Sequence, residues 1–375
     1  RGDRVVVVVS AMGDTTNELV ELAYRVSGKP DQRELDVLLS TGEVVSSTLL
    51  AMALRTLGYQ AISLSGAQAG IRTDAAHSRA RILKIETKRV VKELDRGRIV
   101  IVAGFQGTTE EMDVTTLGRG GSDTTAVALA ASLEADECQI YTDVDGIFTA
   151  DPRLVPEAKQ LDEIGYEEML EMASYGARVM HPRAVELGEL FSLPILVASS
   201  LTQNSGTLIH GEVAMEVRNK VRSVAHDLDV AKITVVGVPD HPGIAAAILG
   251  PLAEGGISVD TIVQNASIEN ITDLTFTVAK SQLDGAMEVV EPIAESIGAR
   301  QCVSASRLGK VSVIGTGMQN TPGFAARMFR ALSDEAINIQ LITTSDIRIT
   351  CIIDEARVTD AVRALHRAFE LEIEE

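Results

Sequence analysis

The feature that most restricts the fold is an internal repeat in the C-terminal part of the chain. Lys232-Ile233-Thr234-Val235-Val236-Gly237, followed by Asp240-His241-Pro242-Gly243-Ile244-Ala245, is echoed by Lys310-Val311-Ser312-Val313-Ile314-Gly315, followed by Asn320-Thr321-Pro322-Gly323-Phe324-Ala325. Leu252 answers Leu332, Ile257 answers Ile337 and Ile262 answers Ile342, at a constant offset once two extra residues before Pro322 are allowed. Each copy reads as strand, Pro-Gly turn, helix and second strand, so this region folds as two like α+β units. A duplicated unit that serves packing alone carries the same pattern.

Before about residue 210 the pattern differs. Short β-branched runs at 5–9, 99–102, 139–142 and 194–197 are each followed by glycine or hydroxyl residues and then by apolar residues near helical spacing, as in 44–57, 80–95, 123–134 and 166–175. Continuous apolar strands are expected where both faces of a sheet are covered, and alternation of strand and helix points to a largely parallel α/β sandwich. Ligands then sit at the carboxyl ends of strands. The segment Thr115-Thr116-Leu117-Gly118-Arg119-Gly120-Gly121-Ser122-Asp123-Thr124-Thr125 packs three glycines, a cation, a carboxylate and several hydroxyls just before an apolar helical run. Close backbone approach, a helix N-terminus and a planar guanidinium suit an anion. An ordinary glycine turn capped by Ser122 or Asp123 gives no reason for Arg119 inside the glycine cluster.

With 375 residues the chain is long enough for two or three domains. Its 34 basic against 53 acidic residues, a net charge of −19, exclude nucleic acid or an anionic membrane as main partner. A small anion needs a local basic pocket, for which Arg119, Arg153 and Arg178 are candidates. Cys138, Cys302 and Cys351 are odd in number and lack metal-ligand spacing, which fits buried thiols in a reducing cytoplasm. No apolar run is expected to approach the roughly 18 residues of a membrane span, so a cytoplasmic protein is expected.

The Thr115–Thr125 wording resembles the signature of the aspartate kinases within the amino-acid kinase family, and other stretches agree in order. Val9-Ser10-Ala11-Met12-Gly13-Asp14-Thr15-Thr16-Asn17 and Ser40-Thr41-Gly42-Glu43 resemble the family's two substrate loops. Tyr141-Thr142-Asp143-Val144-Asp145-Gly146-Ile147-Phe148-Thr149-Ala150-Asp151-Pro152-Arg153 resembles its nucleotide loop. Four motifs in order are far more specific than a lone glycine-rich loop. Each repeat copy resembles an ACT domain, a ferredoxin-like module that binds amino acids in metabolic regulation. The implied architecture is an αβα sandwich of the amino-acid kinase fold over 1–215, a linker at 216–227, and ferredoxin-like ACT modules at 228–306 and 307–375.

The resemblance implies transfer of a phosphoryl group from ATP, with Mg²⁺, to the side-chain carboxylate of L-aspartate. Carried over by position, Arg119 grips the α-carboxylate, Glu43 pairs with the α-amino group, and Ser10, Thr16 and Ser122 complete the substrate pocket. Asp123 matches the catalytic aspartate, whose role is to organise a phosphate-binding lysine or a metal, and this is compatible with its capping a helix. Thr142, Asp143, Phe148, Arg153 and Arg178 match nucleotide-contacting positions, although Arg178 stands where many relatives carry lysine. Asp145 reads better as a turn former, and His181 as structural. No residue is assigned as a metal ligand. The lysine-phenylalanine-glycine-glycine segment that opens such kinases does not occur, and the chain starts at Arg1-Gly2-Asp3 before a strand that is usually second. A missing N-terminal piece, and poor catalysis without it, are therefore expected.

For regulation, Asp240, Gly243, Ile244 and Ala245 offer a turn and helix start that suit the two ionic groups of a free amino acid. The resemblance places the rest of the effector pocket at Gln264-Asn265 or Asn338-Ile339. It implies lysine, threonine or both as inhibitors, and a homodimer through the ACT modules or a heterotetramer with a shorter regulatory chain. Asn320 in the second copy lacks the acid, which favours one effector turn over two. The competing readings are an amino-acid-sensing chain that does not turn over ATP, and a kinase of glutamate or acetylglutamate.

Overall fold

The computed structural model describes residues 2–177, 179–211, 221–265, 270–318 and 321–373. The chain divides into two units. The first comprises 1–147, 160–174 and 178–213. It begins with β1 (Val6–Val9), α1 (Thr15–Val26), α2 (Gln32–Thr56), β2 (Ala61–Leu64), α3 (Gly66–Ala69) and β3 (Ile71–Thr73). There follow β4 (Ile82–Ile85), α4 (Lys88–Leu94), β5 (Ile99–Ala103), β6 (Gln106–Thr108), β7 (Val114–Thr116) and α5 (Gly121–Ser132). It ends with β8 (Cys138–Thr142), β9 (Glu163–Gly165), α6 (Tyr166–Ser174), α7 (Pro182–Leu190), β10 (Ile195–Ser199) and β11 (Thr207–His210).

Three sheets result. One is all parallel, in the order β1-β5-β2. A second, β8-β10-β11-β9, has a single antiparallel pair, β10 with β11. A smaller sheet, β4-β3-β6-β7, is mostly antiparallel. Strand β5 shows why its run is continuously apolar. Val100 and Val102 pack with Leu64, Val90 and Leu129 on one face, while Ile101 packs with Ala51 and Ala61 on the other. Full burial of each such side chain is worth roughly 1.5–3 kcal/mol.

Three local expectations are corrected. The stretch 80–95 is not one helix: it divides into β4 and α4. Ser40-Thr41-Gly42-Glu43 is not a loop but lies in the middle of the 25-residue α2. Hydroxyls that would compete with a helix are satisfied within it: Ser40 Oγ donates to Val37 O at 2.8 Å, Thr41 Oγ1 to Leu38 O at 2.6 Å and Ser46 Oγ to Gly42 O at 3.2 Å. Among the described residues α2 is also one helix long and apolar enough, by length and composition, to cross a membrane, contrary to the sequence expectation. Here it buries Asp36 and Glu43 and packs against β2, β5 and β7.

The second unit comprises 148–159, 175–177 and 214–375. It contains β12 (Ser223–Pro239), α8 (Ile244–Glu254), β13 (Ile262–Gln264), β14 (Ile271–Val278) and α9 (Leu283–Ser296). After these come β15 (Gln301–Ile314), α10 (Phe324–Asp334), β16 (Leu341–Ser345), β17 (Arg348–Asp354) and α11 (Val358–Ala368). All six strands form one antiparallel sheet, β13-β14-β12-β15-β17-β16. The first module is a complete β-α-β-β-α-β unit from β12 to β15, built on Ile233, Val235, Ile248, Leu252, Phe276 and Val290.

The second module is assembled differently from the sequence expectation. Residues 223–227, read as part of a linker, are strand: Ser223 pairs with Ile314 and Val224 with Val313. The start of β12 thus supplies the strand position that α11 would otherwise feed, and β15 runs across the expected boundary at 306/307 as a shared strand. Residues 148–159 join this module's core, where Ala150 and Val155 pack with Val311, Met328, Leu365 and Phe369.

Candidate active site

Glu43 sits on α2, 3% exposed. Its Oε1 accepts the Ala11 backbone N–H at 3.1 Å, which ties the Ser10–Thr16 segment to the helix. Gly42 permits the approach, since a Cβ there would stand 2.9 Å from Ala11 Cβ. The Oε2 atom of Glu43 is buried without a hydrogen-bond partner among the described residues. Burial pushes this carboxyl above its ordinary range, against the lowering effect of the Glu43 and Ala11 backbone amides. Thr16 is half-buried near the start of α1, and Ser10 is exposed just beyond Val9 at the end of β1.

The end of β1 meets the end of β5 and the start of α5. Gly104 N donates to Val9 O at 3.0 Å. A Cβ on Gly104 would stand 2.9 Å from Ser122 Oγ, so Ser122 lies directly over this junction. Helix α5 starts from Gly120, whose φ of 64° places it in the left-handed region and whose missing side chain makes room for the His181 ring. The Asp123 carboxylate accepts the His181 backbone N–H, and burial raises its pKa. His181 itself caps α7, with Nδ1 accepting Arg183 N at 3.3 Å, which agrees with a structural reading. Arg119 is exposed at the head of this loop.

The loop that carries Arg119 is clamped by residues the sequence reading passed over. Arg183 donates to Leu117 O at 2.9 Å and to Ala80 O at 3.1 Å. Asp36, fully buried on α2, accepts from Thr116 N and Thr116 Oγ1 and from Ser78 N. Asp36, Ser40 and Glu43 recur at helical spacing, a signal available in the sequence had 32–56 been read as one helix.

Among the residues expected to contact the nucleotide, Thr142 ends β8, with its Oγ1 donating to Asp143 Oδ1 at 3.1 Å, and Asp143 is exposed. Asp145 accepts Thr202 Oγ1 at 2.6 Å and Gln160 Nε2 on its carbonyl at 3.1 Å, a turn-forming role. Phe148 and Arg153 belong to the second unit rather than the first, and Arg153 Nη2 pairs with Asp151 at 2.7 Å, depressing that carboxyl. Arg178 lies outside the described residues, as does Asn320. The three cysteines are unpaired; burial pushes the Cys138 and Cys351 thiols up to about 12.

Of the residues expected to hold the effector, Asp240 follows β12 and its Oδ1 accepts Gln264 Nε2 at 3.5 Å. Gly243, φ 96°, starts α8, whose first residues are Ile244 and Ala245. Asn265 O accepts Thr272 Oγ1 at 2.5 Å. Asn338 and Ile339 lie in the other module, lining a cleft of about 390 Å³ with Phe329, Ser333 and Ile337.

Comparison with known proteins agrees with this organisation. The amino acid kinase family matches residues 1–199, and ACT domains match 232–295 and 311–369. An aspartate kinase of Stutzerimonas stutzeri (strain A1501) is 51% identical over 373 residues, 99% of this chain and 90% of the relative. The crystal structure of E. coli aspartokinase III in complex with aspartate and ADP (R-state) superposes with a TM-score of 0.79 at 27% identity, covering 94% of this chain and 80% of that one. The structure of that enzyme with lysine and aspartate (T-state) gives a TM-score of 0.70 at 27% identity, over 94% and 79%. A sandwich whose glycine-rich loop opens a helix at the strand ends, followed by paired ACT modules, is thus shared in sequence and fold, and the chain belongs to the aspartate kinases of the amino acid kinase family.

Proposed function

We propose that the chain phosphorylates the side-chain carboxylate of L-aspartate with ATP, under feedback control by an amino acid bound to the ACT modules. The observation that carries this reading is the unpartnered buried Oε2 of Glu43. A buried carboxylate oxygen with no donor is costly, and an α-ammonium group is the donor that offsets the cost. Arg119, exposed at the loop head, supplies the complementary fork for the α-carboxylate. Ser10 follows the end of β1, Ser122 lies over its junction with β5, and Thr16 lies in the first turn of α1 after the Ala11 segment tied to Glu43.

The acceptor needs no general base, because a carboxylate with a reference pKa of about 3.9 is ionised at neutral pH. The β-carboxylate oxygen forms a bond to Pγ of ATP while the bond from Pγ to the β,γ-bridging oxygen breaks, and ADP carries away that electron pair. The chain's task is to hold two anions in line. The N-terminal end of α5, with its positive dipole, serves this end. The ionised substrate carboxylate carries no proton for Asp123 to remove; the hydrogen bond of Asp123 to the His181 amide makes it an organiser of the two helix starts.

Thr142, Asp143, Phe148, Arg153 and Arg178 are proposed for the nucleotide. Mg²⁺ supplies charge neutralisation on the transferring group when bound. Asp240, Gly243, Ile244, Ala245, Gln264, Asn265, Asn338 and Ile339 are proposed for the effector, with lysine favoured by the lysine complex of the E. coli enzyme. The edge strands β13 and β16 support a homodimer formed through the ACT modules.

The test is ATP turnover on the intact protein with aspartate and Mg²⁺, trapping the acyl phosphate with hydroxylamine, with lysine and threonine added singly and together. Aspartate-dependent hydroxamate that falls with an effector is expected. Amino-acid binding without hydroxamate would favour a sensing role instead.

A further inference from the structure

We infer that Asp36 is a positioning residue that sets where Arg119 meets the α-carboxylate of the substrate, so that one helix controls both ends of the amino-acid clamp; this rests on the roles proposed above for Glu43 and Arg119. Asp36 is 0% exposed on α2. Its carboxylate collects donors from two separate segments. Thr116 donates from its backbone N at 3.0 Å and its Oγ1 at 2.6 Å. The neighbouring segment donates through Ser78 N at 2.9 Å, and His77 Nδ1 stands 3.0 Å away. A buried carboxylate that accepts from Thr116 N, Thr116 Oγ1, Ser78 N and Ser78 Oγ and faces His77 Nδ1 is a stiff joint, because losing a donor leaves buried polar groups under-satisfied.

What the joint holds is the start of the Arg119 loop. Thr116 O accepts Ala80 N at 2.9 Å, and Gly118, φ 78°, is pressed against Ser78 O, which a Cβ would meet at 3.0 Å. Thr116 Oγ1 and the Ser78 amide therefore converge on one carboxylate while their backbones touch at Gly118. Arg119 follows immediately. Meanwhile Glu43 lies seven positions along the same helix, roughly 10 Å away at 1.5 Å per residue. The span between the ammonium partner and the carboxylate partner is thus fixed by the rigid length of α2 rather than by a free loop. Both proposed partners of the α-amino acid are thereby tied to one helix.

The experiment is steady-state kinetics of the intact enzyme with Asp36→Asn, Thr116→Val, Arg119→Ala and the double variant Asp36→Asn/Arg119→Ala. Asparagine keeps the shape but turns an NH₂ group toward donors. Thr116→Val removes one hydroxyl and leaves the His77–Ser78 anchor, so it reports even if Asp36→Asn fails to fold. The expected result is a rise in KM for aspartate of at least tenfold in Asp36→Asn and severalfold in Thr116→Val, with KM for ATP changed less than twofold. In the Arg119→Ala background Asp36→Asn should add less than twofold. A full, undiminished effect in that background, equal rises in both KM values, or an unchanged aspartate KM would each overturn the inference. An unaltered aspartate KM in Arg119→Ala itself would overturn the Arg119 assignment, and is distinguished by being seen in that single variant.

Discussion

Thr149 Oγ1 and His366 Nε2 lie 2.9 Å apart in the interior of the second unit, the histidine 1% exposed. Burial holds the His366 pKa below the usual histidine value, against the raising influence of Glu372 and Glu157. The unfolded chain therefore takes up this proton at a higher pH than the folded one, and stability falls as pH drops from about 6.5 through the folded pKa. In urea unfolding, the wild-type midpoint should decline between pH 7.5 and 5.5 more steeply than that of His366→Gln. Parallel declines would show that His366 is not the group responsible. Thr149→Val, which leaves the ring nitrogen unpaired, should cost about 1–3 kcal/mol at pH 7.5.

How far the sequence revealed this arrangement differs between local and non-local features. Strand β5 was legible because Ile99–Ala103 carries its own evidence of two covered faces, and the Gly118–Asp123 loop because its residue types are chemically unusual. The repeat of Lys232 and Lys310 exposed both modules. What escaped were features decided by distant partners. Residues 223–227 are polar enough to read as a connection, and only pairing with 310–314 makes them strand. The 148–159 segment looked like the continuation of a nucleotide loop, yet Ala150 and Val155 find their apolar partners in the second unit. Asp36 offered only its helical spacing from Glu43, since its role exists through Thr116, His77 and Ser78, which lie far off in sequence.

Gly120→Ala should damage folding and catalysis together. The added Cβ would lie 2.2 Å from His181 Cβ on a backbone of φ 64°, so both strain and collision oppose it. A loss of about 2–4 kcal/mol is expected from these combined effects, with kcat/KM for aspartate down at least tenfold. Gly285→Ala is the control: a Cβ there would meet only Ile257 Cδ1, at 3.9 Å, and it lies within α9, where alanine is favoured by up to about 1 kcal/mol. If the two variants melt alike, the steric account of the Gly120–His181 approach is wrong.

Asp240→Ala should abolish or severely weaken feedback inhibition while leaving turnover without effector within about twofold. Asp240 follows β12 on the surface of the first module, and its side chain bonds Gln264 at a long 3.5 Å, so its loss removes little from the fold, within about 0.5 kcal/mol. Inhibition curves for lysine and threonine on the variant decide the matter. Wild-type inhibition would remove Asp240 from the effector site.

The role proposed for Glu43 ties substrate affinity to pH. Burial raises its pKa, and the Ala11 amide only partly restores the charged form. Proton uptake cancels the charge proposed to face the substrate's ammonium group, so KM for aspartate should rise as pH falls through the raised pKa. Glu43→Gln should show a KM at least tenfold higher near pH 7.5 and a flatter profile below it. The same burial makes the opposite demand on stability. Because the folded state binds this proton more readily than the unfolded chain, the carboxyl's favourable contribution is present at low pH and lost as pH rises through the folded pKa. The free Glu43→Gln enzyme should accordingly be more stable than wild type near pH 7.5, by roughly 0.5–2 kcal/mol, and the gain should shrink on acidification. Saturating aspartate should erase the difference, since its ammonium group pairs with the oxygen that is otherwise unpartnered. A variant that binds aspartate as wild type does, or that is less stable without substrate, would show that Glu43 serves the fold and not the substrate.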